Sequence, residues 1–92
     1  MKESQLERKF REAIERIGGK APKWVSPGNR GVPDRLVILP GGRVAFVELK
    51  KPGEPLGPLQ RKWAKMLSEL GHDVYKIDSV EDIERFLQRV MT

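Results

Sequence analysis

Apolar side chains recur every three or four positions in three segments of the chain, which is the spacing of an amphipathic helix. The first of these segments covers residues 4–17 and stops at the glycine pair Gly18-Gly19. Within it, Ser4 followed three positions later by Glu7 has the form of a capping box, a signal of a helix start. The pattern therefore predicts a first helix that begins near Ser4.

The other two helical segments lie in the second half of the chain. One carries apolar residues from Leu59 to Leu70 and ends at Gly71. The other follows Ser79, which together with Asp82 resembles an N-cap, and extends to the C-terminus. Two loops rich in proline and glycine are predicted at residues 26–33 and 52–58.

Short segments rich in Val, Ile, Leu and Phe predict four β-strands. They cover residues 20–25, 35–39, 43–50 and 73–77. The first is expected at the edge of the sheet, because Pro22 has no backbone N–H to donate to a neighbouring strand. The second and third form a hairpin joined by Pro40-Gly41-Gly42, and both faces of this hairpin carry apolar side chains. We therefore expect helices on both sides of the sheet.

This order of elements, α-β-β-β-α-β-α, predicts a single α/β domain over residues 1–92, with a mixed central sheet flanked by helices. The helix between the third and fourth strands predicts a crossover connection beside the antiparallel hairpin. A chain of 92 residues buries only a modest core of its own. A partner subunit would add to the buried apolar surface.

The composition restricts the expected ligands to polyanions and to metals bound through oxygen atoms. The chain has no cysteine and one histidine, His72, which excludes disulfides, a thiolate nucleophile and a multi-histidine zinc site. The formal net charge of +5 favours a nucleic acid or another polyanion as partner. No segment approaches the roughly 20 apolar residues that span a bilayer, so we expect an intracellular, soluble, cytoplasmic protein.

The length of the hairpin connection decides which side chains face each other. A three-residue connection built on a type I turn, with Gly42 in the left-handed region, places Asp34 opposite Glu48. A connection of two or four residues would instead place Asp34 opposite Leu49, whose side chain points to the other face. We therefore predict the three-residue connection, which brings two carboxylates together.

Two carboxylates directly across a strand pair repel each other, so this arrangement needs a compensating charge. A divalent cation such as Mg²⁺ or Mn²⁺ prefers oxygen ligands of this kind, and the main-chain carbonyl of Leu49 is a candidate third ligand. Lys50 projects on the same face as Glu48. Its ammonium group would position a water molecule or neutralise a phosphate. The alternative is that Asp34 only ends a turn and that the strand residues are solvated.

The chain carries, in order, residues that resemble the VRR-NUC (virus-type replication-repair nuclease) family of the PD-(D/E)xK nuclease superfamily. They are Gly-Val-Pro-Asp-Arg at 31–35, Phe-Val-Glu-Leu-Lys at 46–50, and Gln60. The resemblance implies a restriction-endonuclease-like fold and Mg²⁺- or Mn²⁺-dependent cleavage of DNA phosphodiesters. It also implies that Asp34 and Glu48 are metal ligands and that Lys50 is the catalytic lysine.

Two further catalytic roles follow from the resemblance. Glu7 would match the family's additional acidic residue, but it is also the expected capping-box partner, and Glu3 or Glu12 are rival choices. Gln60 would match a family glutamine near the start of the second helix, where it would reach the site. The alternative for Gln60 is an ordinary polar residue in the first turn of a helix.

Basic residues around the motif are candidates for contacts with DNA phosphates. The candidates are Lys23, Arg30, Lys51, Arg61, Lys62 and Lys65. Solvated surface charge is the alternative for each of them. Trp24 and Trp63 are expected to pack in the core or an interface and not to stack on bases. His72 is expected to be exposed just past the end of a helix.

The sequence thus predicts a metal-dependent DNA endonuclease, and the resemblance implies a structure-specific enzyme for branched DNA such as four-way junctions, of phage or bacterial origin. One site per chain means that paired cuts need two chains, so we expect a homodimer. A non-catalytic nucleic-acid-binding or assembly module on the same fold is the alternative. A restriction-type enzyme with base-specific contacts is a third interpretation.

Overall fold

A computed structural model describes residues 1–92 and shows three helices and three strands. In chain order they are α1 (Glu3–Arg16), β1 (Arg35–Leu39), β2 (Arg43–Leu49), α2 (Pro58–Glu69), β3 (Asp73–Ile77) and α3 (Val80–Val90). The predicted α/β class with a mixed sheet is confirmed, with one strand fewer than predicted. None of the three helices combines the length and apolar character that a bilayer span requires.

The sheet has the order β1-β2-β3. Its first two strands form an antiparallel hairpin in which Leu39 pairs with Arg43, so the predicted three-residue connection is confirmed. Gly42 lies in the left-handed region as predicted, with a φ of 79°. The predicted type I turn is wrong, because its second central residue, Gly41, also has a positive φ, 84°. Strands β2 and β3 are parallel and are joined by α2, as the crossover prediction requires.

Residues 20–25 run antiparallel along the outer edge of β1 but do not form the predicted strand. Only two isolated bridges join this segment to β1, Lys20 with Ile38 and Lys23 with Arg35. Between the bridges, the carbonyl of Pro22 accepts a hydrogen bond from the N–H of Leu36, but the proline nitrogen has no hydrogen to return. The missing donor interrupts the ladder and leaves an edge segment in place of a strand.

One face of the sheet is fully covered by α1 and α3. Phe86 of α3 makes edge-on ring contacts with Phe10 of α1 and Tyr75 of β3, with centroid distances of 5.5 Å and 4.8 Å. The core on this face contains the buried residues Leu6, Phe10, Ala13, Ile14, Ala21, Val37, Leu39, Ala45, Val47, Leu49, Ile77, Ile83 and Phe86. Burial of this face fixes the hairpin register, because a slip of one residue would expose it.

The other face is covered only in part, which corrects the expectation of full cover on both sides. Helix α2 and Trp24 pack over Phe46, whereas Ile38 and Val44 keep 45% and 37% of their surface exposed. The domain has only one helix on this side, and α2 packs mainly against β3. An apolar strip at the far end of β1 and β2 therefore faces solvent.

The helix starts differ from the sequence prediction in one case. The N-terminus of α1 is capped by Gln5, whose side chain accepts a hydrogen bond of 3.0 Å from the N–H of Lys2. The predicted capping box of Ser4 and Glu7 does not form. The start of α3 agrees with prediction, because the hydroxyl of Ser79 accepts a hydrogen bond from the N–H of Asp82.

Gly31 holds the loop before β1 against the start of α2. Its φ is +91°, and a Cβ built on it would lie 2.6 Å from the backbone of Leu59. Gly28 in the same loop has a similar φ of +82° but has open space where a Cβ would be. Only the first of these glycines is therefore required both by conformation and by packing.

These two glycines give a matched test of the packing. Gly28→Ala should lower the free energy of unfolding by about 1 kcal/mol, the cost of a left-handed alanine. Gly31→Ala should lower it by about 1–3 kcal/mol more, because the methyl group also overlaps the backbone of α2. Urea unfolding followed by circular dichroism measures both. Equal losses in the two variants would contradict the close approach of loop and helix.

Candidate active site

Asp34 and Glu48 meet at one end of the sheet. Asp34 lies just before β1, and its Oδ2 accepts a hydrogen bond of 3.0 Å from the N–H of Leu49. Its side chain is also hydrogen-bonded to that of Glu48, which is only 4% exposed. The hairpin register runs on from Arg35 opposite Val47 to this pair. The predicted meeting of the two carboxyl groups is therefore present.

Burial, which is the largest cause, raises the pKa of the Glu48 carboxyl together with the hydrogen bond and the negative charge of Asp34, from 4.5 to about 9. The positive charge of Lys50 opposes the rise, and the negative charge of Glu3 adds to it. In the metal-free protein, a protonated Glu48 donates to Asp34. The proton removes the repulsion that two neighbouring carboxylates would otherwise have.

This pair fits a divalent cation by its chemistry. A carboxyl kept neutral only because it is buried beside another carboxylate loses its proton when a cation supplies the missing positive charge. Asp34 and Glu48 then provide two oxygen ligands of the kind that Mg²⁺ and Mn²⁺ prefer. No third acidic or histidine side chain joins them. Further ligands must therefore come from the main chain, water or substrate.

The main-chain carbonyl of Leu49 is suitably directed for this role. The N–H of the next residue, Lys50, donates to Ile77 on the β3 side of the strand. Since successive residues of a strand direct their backbone groups to opposite sides, the N–H and carbonyl of Leu49 both point towards Asp34. The ladder with β1 ends two residues earlier, at Val47. This carbonyl is therefore left without a strand partner.

Lys50 lies close enough to lower the pKa of Glu48, as the shared face predicts, and it is partly exposed. It lines a cavity of about 230 Å³ between the N-termini of α1 and α3, together with Glu3 and Asp78. Lys50 is therefore open to solvent or substrate, and its charge acts on Glu48.

Glu7 is not part of this arrangement. Its carboxylate lies 3.5 Å from the guanidinium of Arg35, whose side chain points to the α1 face of the sheet, away from Asp34. Glu12, one of the rival choices, is exposed and pairs with Arg8. Glu3, the other rival, is the acid on α1 whose charge reaches Glu48.

The sequence could not separate the acids on α1. Glu3 and Glu7 are four residues apart and lie on one stripe of the helix. Their order along the helix axis relative to the sheet decides which one approaches the site. Helical periodicity carries no information on that position.

Gln60 shares a second cavity with Glu48, as its predicted role requires. This cavity has a volume of about 200 Å³ and also contains Lys65 and Lys76. The side-chain oxygen of Gln60 accepts a 2.7 Å hydrogen bond from the N–H of Gly57 and so caps its own helix. The amide nitrogen of the same side chain remains to donate towards the cavity. Both interpretations of Gln60 are therefore compatible with its position.

Lys76 is a residue at the site that the sequence did not reveal. It pairs with Glu48 across β2 and β3, and its Nζ donates a 3.0 Å hydrogen bond to the carbonyl of Glu54. The N–H of Gly53 donates to Asp78, and this bond lowers the pKa of the Asp78 carboxyl. These bonds tie the loop between β2 and α2 to β3. Only the parallel register of the two strands could have identified Lys76.

The predicted DNA contacts are all exposed. They are Lys23, Arg30, Lys51, Arg61, Lys62 and Lys65. Lys65 lines the cavity of Glu48, whereas Arg61 donates a 2.7 Å hydrogen bond to the carbonyl of Leu56. The aromatic rings pack as predicted, because Trp24 lies 5.3 Å from Phe46 and 6.1 Å from Trp63. His72 is exposed and contacts the edge of the same cluster.

The raised pKa of Glu48 predicts a specific pH dependence of stability. Between pH 4.5 and about 9 the folded, metal-free protein keeps a proton on Glu48 that the unfolded chain has lost. The free energy of unfolding should therefore fall as pH rises through this window, by up to about 1.4 kcal/mol per pH unit. Glu48→Gln should remove this fall, because an amide cannot ionise but can still donate to Asp34.

Urea unfolding at pH 5, 6, 7 and 8 in EDTA measures the effect as the difference between wild type and Glu48→Gln. Glu81→Gln, a change of an exposed glutamate on α3, is the control and should follow the wild type. Parallel profiles for wild type and Glu48→Gln would contradict a protonated Glu48.

Comparison with known proteins places this geometry in a family. The sequence profile of the VRR-NUC domain matches residues 1–81. A protein of Acyrthosiphon pisum secondary endosymbiont phage 1, described as "Putative nuclease p44", is 46% identical over 90 residues, covering 98% of this chain and 96% of that protein. A solved structure described as "VRR_NUC domain" matches with a TM-score of 0.89 and 29% identity, over 94% of each chain. The chain therefore belongs to the VRR-NUC nuclease family.

Proposed function

We propose that this nuclease is a metal-dependent DNA endonuclease that hydrolyses phosphodiester bonds. The observation that carries the proposal is the hydrogen-bonded pair of the half-buried Asp34 and the buried Glu48, with Lys50 beside it. A protein that only binds nucleic acid has no use for a buried carboxyl group beside a second carboxyl group, because the pair repels DNA phosphates and costs stability. A nuclease requires such a pair to hold a cation.

Asp34, Glu48 and the main-chain carbonyl of Leu49 would hold Mg²⁺ or Mn²⁺. When bound, the cation polarises the scissile phosphate and makes a bound water more acidic. The protein supplies the fixed positions of these oxygens, because the N–H of Leu49 holds Asp34 and the core holds β2. A site held in this way needs little rearrangement on binding.

Lys50 would serve the attacking water or the negative charge that builds up on the phosphate. It directly follows β2, is partly exposed, and carries a positive charge that acts on Glu48. Gln60, from the first turn of α2, would donate its amide hydrogens to the substrate or to the attacking water. Glu3 replaces Glu7 as the candidate for the additional acid, because its charge reaches the pair.

DNA is the proposed substrate because exposed lysines and arginines lie on several elements around the site. The predicted set extends from the edge segment through the loop before β1 to α2, in a chain of net charge +5. Contacts of this kind hold a phosphate backbone without reading sequence. Backbone contacts respond to the shape of the DNA, which favours recognition by shape. Branched DNA such as a four-way junction is the proposed preference.

A homodimer is proposed because each chain has one site and a paired cut needs two. The uncovered end of the sheet, with Ile38 and Val44, is the candidate interface, extended by the exposed Met66 and Leu70 of α2. A standard interface needs about 800 Å² per partner, roughly one seventh of the 5911 Å² that the chain exposes. This uncharged strip can face its own copy across a two-fold axis without opposing like charges.

The nuclease assignment is tested by cleavage of plasmid, linear and four-way-junction DNA in Mg²⁺, Mn²⁺ or EDTA. Wild type should cut in either metal, with the junction preferred, and should be inactive in EDTA. Asp34→Asn and Lys50→Ala should each lose activity by about 10²-fold or more, because each removes a group that acts on the reacting phosphate. Lys9→Ala, a change of an exposed lysine on α1, is the matched control and should remain active.

Cleavage that persists in both site variants would show that the active site lies elsewhere. Binding without cleavage of any substrate would favour the non-catalytic nucleic-acid-binding or assembly module. Cutting at one preferred duplex sequence would favour the restriction-type enzyme.

The dimer is tested by light scattering coupled to size exclusion. Wild type should have twice the mass of one chain, and Val44→Glu should have the mass of one chain, because a buried charge disfavours the interface. Met91→Glu changes another exposed apolar residue, 64% exposed and outside the strip, and should stay dimeric. A dimeric Val44→Glu would show that a different surface forms the interface. The monomer should still nick DNA but lose paired cuts.

A further inference from the structure

Arg35, the first residue of β1, is a buried cation that the active site does not use. It is 8% exposed, and its side chain lies on the α1 face of the sheet. Its Nη1 donates a 2.9 Å hydrogen bond to the carbonyl of Ala21. The nearest carboxylate, Glu7, is 3.5 Å from Nη2, which is long for a charged hydrogen bond. Its Nε is buried and has no hydrogen-bond partner.

A buried guanidinium with an unused donor is unusual, because buried polar groups nearly always have partners. The desolvation of such a charge is costly unless its neighbours satisfy it. One carbonyl and one distant carboxylate satisfy Arg35 only in part. Arg35 therefore retains the capacity to bind a further anion.

A cavity of about 440 Å³ opens beside this side chain, between α1 and the edge segment. Its charged lining consists of Arg11, Lys20, Arg35 and Glu15, and the remaining lining residues are Ala21, Pro22 and Ile38. Glu15 is 3.5 Å from Arg11, so the one carboxylate in the wall already has a partner. With Glu7 beside Arg35, three cations stand against two carboxylates, so the cavity keeps a net positive charge. Its size admits a phosphate group with its waters.

We infer that this cavity binds a phosphate of the DNA backbone, at a point away from the bond that is cut. Arginine and lysine are the side chains that bind phosphate in this way. The cavity lies along the outer edge of β1, the strand that begins directly after Asp34, and Lys23 lies on the same edge segment. A strand of DNA in the active site would thus be held at a second point. The inference rests on the proposed function.

The test replaces the two accessible cations at the rim and leaves Arg35 in place to preserve folding. Arg11→Gln/Lys20→Gln should bind a four-way junction about 10-fold more weakly in EDTA, where no cleavage occurs. The slope of log affinity against log salt should become shallower by about 1, because the cavity binds one phosphate. Fluorescence anisotropy at several salt concentrations measures both quantities.

Lys9→Gln/Arg16→Gln is the matched control. It removes the same charge from exposed positions of the same segment, both on the side of α1 roughly opposite Arg11. A general loss of positive charge would affect the two double variants equally. Equal binding by the two double variants would therefore overturn the inference.

A second measurement follows Arg35 itself, through the Nε–Hε signal in a ¹⁵N NMR spectrum. Titration with junction DNA should shift this signal in wild type and not in Arg11→Gln/Lys20→Gln. Inorganic phosphate is titrated separately. A signal that shifts with inorganic phosphate but not with DNA would overturn the backbone assignment in favour of a small-anion site. If no variant and not even the wild type binds DNA, the proposed function itself fails, which is a different result from equal binding.

Discussion

The hydrogen bond between the half-buried carboxyl group of Asp34 and the buried carboxyl group of Glu48 is the interaction on which the candidate site depends. Asp34 and Glu48 are hydrogen-bonded, and burial of Glu48, together with the hydrogen bond and charge of Asp34, raises the pKa of Glu48 to about 9. Such a pair is stable only with a proton or a cation between its oxygens. In the metal-free protein, the proton on Glu48 serves this purpose. In the function proposed here, a cation takes the place of the proton, and Lys50 lies beside the reacting phosphate.

The rest of the fold positions Asp34 and Glu48 at one end of the sheet. The hairpin connection sets the register, and α1 and α3 cover the face that fixes it. The loop after β2 is tied to β3 through Gly53 and Lys76. The first turn of α2, which follows this loop, brings Gln60 into the same cavity as Glu48. Since the opposite end of the sheet is not needed for the site, it is left with an apolar strip that a second copy can cover.

The sequence predicted the site where local rules were sufficient. A hairpin connection of three residues fixes which residues face each other, so the meeting of Asp34 with Glu48 followed from counting. The role of Glu7 was not predictable, because periodicity shows the stripe of α1 and not its distance from the sheet. The strand predicted around Pro22 does not form, because the proline lacks a backbone N–H. The sequence shows this missing donor but not that its loss is enough to interrupt the ladder. The position of Lys76 beside Glu48 depends on the parallel register of β2 and β3, which no local sequence signal encodes.

Calorimetric titration of Mn²⁺ into the protein at pH 7.5, in two buffers of different ionisation enthalpy, tests the central claim most directly. If the cation replaces the shared proton, binding should release about one proton per chain, because Glu48 is protonated at this pH. Asp34→Asn should abolish the binding. Binding of Mn²⁺ to wild type without proton release, or unchanged binding to Asp34→Asn, would contradict the account.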